Sequence, residues 1–88
     1  MQKFESVWDA ISESPAEALN LKLRANLMHE IRDRISAHGW TQAQAAKQMG
    51  ITQPRVSDLL SGKISKFSLD TLVNMLAMLG GEIELRVA

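Results

Sequence analysis

The 88-residue sequence contains no cysteine. This excludes a disulfide framework, a thiolate zinc site and a thiol nucleophile. Long apolar runs are missing too, and none approaches the ~18 residues that a bilayer-spanning helix needs. The N-terminal segment MQKFESVWDA lacks a signal-peptide h-region, so a soluble, cytoplasmic protein is expected. Histidine is scarce: His29 and His38 are the two in the chain. Without cysteine they make no metal site, and surface or cap positions are expected for both. No nucleophile–base pair is recognisable. Gly62-Lys63-Ile64-Ser65 looks superficially like a phosphate loop, but it lacks the upstream glycine and has Ile where Ser or Thr would bind magnesium. Neither enzymatic activity nor a cofactor is expected.

An excess of charge of one sign is also absent, with ten Lys+Arg against ten Asp+Glu. That total argues mildly against a nucleic-acid partner. The distribution argues the other way. Residues 1–20 carry net −3, residues 21–40 net +2, residues 41–68 net +3 and residues 69–88 net −2. Acidic ends flank a basic middle, so a neutral total can conceal a basic face. What is present is ordinary globular composition, 45% apolar and 23% charged, enough for one small domain.

Residues 1–13 form an acidic leader in which Phe4, Val7, Trp8 and Ile11 are spaced as an amphipathic helical stripe. Ser14-Pro15-Ala16-Glu17 reads as the start of a long helix, reaching about Ala37, with Leu23, Leu27, Met28, Ile31 and Ile35 inward. Arg24, Arg32 and Arg34 lie on it, with Glu30 and Asp33 as expected partners. Thr41-Gln42-Ala43-Gln44 has capping-box form after Trp40 and opens a short helix ended by Gly50. Thr52 caps a second short helix, 52–61, with Pro54 in its first turn. Ser68 caps a last helix with Leu69, Leu72, Val73, Leu76 and Leu79 inward, Met75 and Met78 as core filler, and Gly80-Gly81 as its stop.

Glu82 to Val87 alternates polar and apolar residues with period two, which is a strand pattern. One strand cannot satisfy its own ladder, so residues 82–88 are expected to pair with a second copy across a two-fold axis. Antiparallel pairing centred on Leu85 sets Glu84 opposite Arg86 and Ile83 opposite Val87. The expected fold is therefore all-α: five helices, with one C-terminal β-strand pairing across a homodimer. Residues 14–81 form the domain between leader and strand.

Two short helices joined by a tight glycine turn describe a helix-turn-helix. Ala46 must be small where the helices cross, and Gly50 must allow positive φ. Ile51, Val56 and Leu59 must be apolar to lock the second helix onto the first. All five comply over residues 41–63. The stretch from about Leu23 to Gly80, with GWTQAQAA and SKFSLDTL, resembles the Xre/Cro-type phage-repressor helix-turn-helix family. The acidic leader, the long first helix, FSLDTL and the closing GGEIELRV are similar to its HigA-like antitoxin branch. That resemblance implies a dimeric DNA-binding autorepressor that also neutralises a toxin, commonly an RNA-cleaving enzyme. The same relatives include plain regulators without a toxin partner. A third reading is a toxin-inhibiting interaction module with little DNA binding.

Carried onto this chain, the resemblance makes residues 52–61 the recognition helix for the major groove of a palindromic operator. Gln53, Pro54, Arg55, Ser57 and Asp58 are its outward, base-reading candidates. Gln53 suits adenine and Arg55 suits guanine, each bidentately, and Pro54 can pack on a thymine methyl. Asp58 either accepts from cytosine, repels phosphate, or is a helix charge that never touches DNA. Gln42, Thr52, Lys63 and Lys66 are the phosphate candidates; Lys47 is either another or a solvated helix residue. Phe4, Val7, Trp8 and Ile11 can clamp a basic toxin, or else dock on the protein's own core or fray.

Overall fold

The computed structural model describes residues 14–88. The leader and its stripe of Phe4, Val7, Trp8 and Ile11 lie outside the described residues. Helix α1 (Pro15–His38) starts where the Ser14 hydroxyl accepts a hydrogen bond from the Glu17 N–H at 3.1 Å. Its buried stripe is Leu21, Met28, Ile31 and Ile35, spaced as one face of a 3.6-residue helix. Between Leu21 and Met28 that face is occupied by half-buried Arg24, whose stem packs while its guanidinium finds partners at the rim. Leu23, expected inside, is exposed because it lies roughly 100° around the helix from Arg24.

Helices α2 (Gln42–Met49) and α3 (Gln53–Leu60) have eight residues each, too few to persist alone in water. Both are closed by their own caps. The Thr41 hydroxyl accepts from the Gln44 N–H at 3.1 Å, and the Gln44 side-chain oxygen accepts from the Thr41 N–H at 2.8 Å. At the other end Gly50 has φ 68°. Ile51 N–H donates to the Ala46 carbonyl at 3.0 Å and Gly50 N–H to that of Lys47 at 3.4 Å. This closure needs the left-handed region, where a Cβ costs roughly 1–2 kcal/mol. It turns the chain directly into the Thr52 cap of α3.

A 3-10 turn (Ile64–Lys66) then leads to Ser68, which caps α4 (Leu69–Met78) through the Thr71 N–H at 3.2 Å. Every element sends a side chain to one core. Ile31 of α1, Ala45 of α2, Val56 and Leu59 of α3, and Leu72 of α4 have no solvent exposure, and Phe67 after the 3-10 turn has 1%. Met75 and Leu76 of α4 are buried beside them, whereas Val73 and Met78, both expected inside, are exposed. No helix among the described residues is long and apolar enough to cross a membrane.

Two expectations about the fold are corrected. The described residues contain four α-helices rather than five, and the leader, where the remaining helix is expected, lies outside them. The C-terminal strand is not formed either, so the described fold is all-α without a strand. Gly80 and Gly81 donate to the carbonyls of Ala77 and Leu76, both at 3.0 Å, and close α4. A Cβ at Gly81 would lie 2.5 Å from Leu76 Cδ1 and 3.2 Å from the Leu76 carbonyl oxygen, so glycine is required by the close approach. Beyond it Ile83, Glu84, Leu85, Arg86 and Val87 are all exposed, Leu85 by 81%. Period-two alternation makes a strand only where a neighbouring ladder takes up its backbone groups, and the rest of the described chain is helix and turn.

Leu59→Ala is expected to lower stability by about 2–5 kcal/mol, the cost of a cavity in a closed core. Val73→Ala on exposed α4 should cost less than about 1 kcal/mol. Urea denaturation of both variants measures the contrast, and equal losses would place the core elsewhere.

Candidate nucleic-acid interface

The first turn of α3 is presented by the cap beneath it. Thr52 Oγ1 accepts from the Arg55 N–H at 3.3 Å, which leaves the hydroxyl proton free to donate outward. Thr52, Gln53 and Pro54 are exposed, and Ser57 follows one turn later, half-buried. Ser61 Oγ donates to the Ser57 carbonyl at 2.8 Å. Gln42 is exposed at the first position of α2, and Lys47 is exposed further along it. Behind this surface Ala46, Val56 and Leu59 are buried and Ile51 is half-buried, so the two helices of the motif are locked together by apolar contact.

The other two polar candidates of α3 are already engaged. Arg55 Nη1 donates to the Lys66 carbonyl at 2.7 Å, and its Cζ lies 4.2 Å from the centroid of the Phe67 ring. Asp58 accepts both neighbouring lysines: Lys63 Nζ is 3.4 Å from Oδ1 and Lys66 Nζ is 3.6 Å from Oδ2. The lysines keep 54% of their side-chain surface exposed, against 23% for Asp58. From the far side Arg24 Nη1 donates to the carbonyls of Ile64 at 3.2 Å and Phe67 at 3.4 Å, and its Nε to Asn20 at 2.7 Å. Guanidinium groups from α1 and α3 therefore hold the turn between them.

Sequence reasoning missed this clasp. Arg24, expected to pair with acids of its own helix, holds the turn instead; Arg34 takes Glu30 at 3.1 Å and His29 lies 3.3 Å from Asp33. Phe67 carried one usable signal, an aromatic ring alone in a polar connecting segment, which must find apolar cover somewhere. Nothing local announces the contact between Arg55 and a ring twelve residues on. Nor does spacing announce that Asp58 meets Lys63, because the glycine turn at 62 brings them together.

The helix-turn-helix domain family matches residues 7–88 of this chain. The chain is also 33% identical, over 87 residues, to "Putative antitoxin HigA3" of Mycobacterium tuberculosis. That alignment covers 88% of this chain and 77% of the relative. The chain belongs to the HigA-like antitoxin family of helix-turn-helix proteins. The α2–α3 pair, joined by the glycine turn, has the helix-turn-helix arrangement of that family.

In this helix-turn-helix chain, Arg55→Ala is expected to lower stability by about 1–2 kcal/mol, through the lost charged hydrogen bond and the ring contact. Arg55→Lys should recover only part, because an ammonium lacks the planar fork. Thermal melts of the two variants check this; an unchanged melting temperature for Arg55→Ala would mean that the clasp contributes nothing.

Proposed function

We propose that the protein is a cytoplasmic, sequence-specific repressor that binds its own operator as a homodimer and neutralises a protein toxin. The observation that carries the DNA half is the exposed first turn of α3, with Lys63 and Lys66 gathered at Asp58 one turn further along. In this reading α3 enters the major groove. Gln53 reads adenine and Pro54 packs on a thymine methyl. Ser57 and Asp58 face the groove one turn later. Arg55 reads guanine with the donors that remain once Nη1 holds the turn. Gln42, Thr52, Lys63 and Lys66 meet phosphates and set the register. One eight-residue helix reads few base pairs, so two copies on a palindrome with half-sites about 34 Å apart supply the specificity. The toxin half is supported by similarity to the mycobacterial relative, and the leader residues Phe4, Val7, Trp8 and Ile11 are its proposed contacts.

Gln53→Ala should lose roughly 1–3 kcal/mol of discrimination at one base pair of a duplex enriched from a random pool. Lys63→Ala should weaken every sequence alike and reduce the log–log salt slope by about 0.9. Fluorescence anisotropy across a salt series reads both effects. Absence of salt-sensitive binding to any duplex at low ionic strength would refute the DNA reading. For the toxin half, the reading expects a toxin gene beside this one, and deletion of residues 1–13 should abolish rescue of cells that express it. Unchanged rescue would remove the leader from the mechanism.

A further inference from the structure

The carboxylate of Asp58 receives Lys63 on one oxygen and Lys66 on the other, at 3.4 and 3.6 Å. That is how two lysines would embrace a phosphate. The arrangement is built into the backbone. Lys63 N–H donates to the Asp58 carbonyl at 3.1 Å, which closes the turn onto α3, and Arg55 holds the Lys66 carbonyl at 2.7 Å. Asp58 also shares its side of α3 with exposed Pro54, four residues before it. A duplex that draws both lysines onto its phosphates therefore competes with Asp58 for them. The released carboxylate then faces a polyanion without a partner, unless a base donates to it, and in the major groove that donor is the amino group of cytosine or adenine.

We propose that Asp58 is a specificity-determining residue that acts by occupying Lys63 and Lys66 in the unbound protein. It rests on α3 being the DNA-reading helix. Random DNA supplies phosphates but no assured donor, so its binding carries the full cost of stranding the carboxylate. An operator that places an amino group opposite Asp58 relieves that cost. The residue thus weakens all binding and weakens wrong sequences most.

The test compares the parent protein with Asp58→Asn, and with Asp58→Ser as a second neutral variant, in titrations of a random-sequence duplex and of a duplex enriched by the parent from a random pool. Both variants should bind random duplex roughly tenfold tighter at low salt. The slope of log K against log salt should stay nearly unchanged, because both lysines reach phosphates in parent and variant alike. The enriched duplex should gain less, so discrimination shrinks. In a Lys63→Gln/Lys66→Gln background Asp58→Asn should give little gain over that double variant, which a purely structural role of Asp58 would not produce. Unchanged or weaker binding of random duplex by both neutral variants, or a gain that survives loss of both lysines, would overturn the inference while parental DNA binding stands. If the parent itself binds no duplex, the DNA reading fails and the inference falls with it.

Discussion

Burial of one shared apolar face is the constraint on which the fold depends. Helices of eight residues do not outlast the entropy of ordering them, so α2 and α3 exist because Ala45, Val56 and Leu59 are closed off against Ile31, Phe67 and Leu72. Each element contributes to that core, and none can be removed without exposing the others. The long α1 packs chiefly on α4 and also reaches α3, while α2 is held by α3 and α4. This also explains why the N-terminal turn of α3 can remain polar and exposed: its position is set from the opposite side of the helix.

The turn after α3 transmits that order to the surface. A connecting segment usually leaves its carbonyls to water, but here those of Ile64, Lys66 and Phe67 accept from guanidinium groups of Arg24 and Arg55. The ring of Phe67 is drawn into the core beneath Arg55. Two lysines that would otherwise sweep through solvent are thereby anchored beside α3. The electrostatic picture changes with it. Residues 41–68 carry net +3 by count, yet one cation is committed to the turn and two are shared with Asp58. Three of the four cations of that stretch are therefore already partnered within the protein.

Much of the helical order was legible because it rests on local chemistry. Ser14, Thr41, Thr52 and Ser68 each cap the helix that follows, and a cap is decided by three or four consecutive residues. The turn at Gly50 was readable for the same reason. Faces were read less well. Leu23, Val73 and Met78 are apolar but exposed, while Leu21 and the stem of Arg24 take the inner stripe of α1; a leucine-rich stretch fits more than one phase of a helix. The tail misled because alternation is a property of side chains, whereas a strand requires a second backbone.

The sequence by itself determined the succession of helices, their caps, the glycine turn of the motif and the basic middle between acidic ends. Each of these is set by neighbours along the chain. Tertiary structure alone decided that Arg55 and Asp58 are engaged before any ligand arrives, that Phe67 is a core residue, and that Arg24 belongs to the turn rather than to its own helix. Those contacts join residues up to 43 positions apart. They form only once burial of the shared core has brought α1, α3 and the turn together.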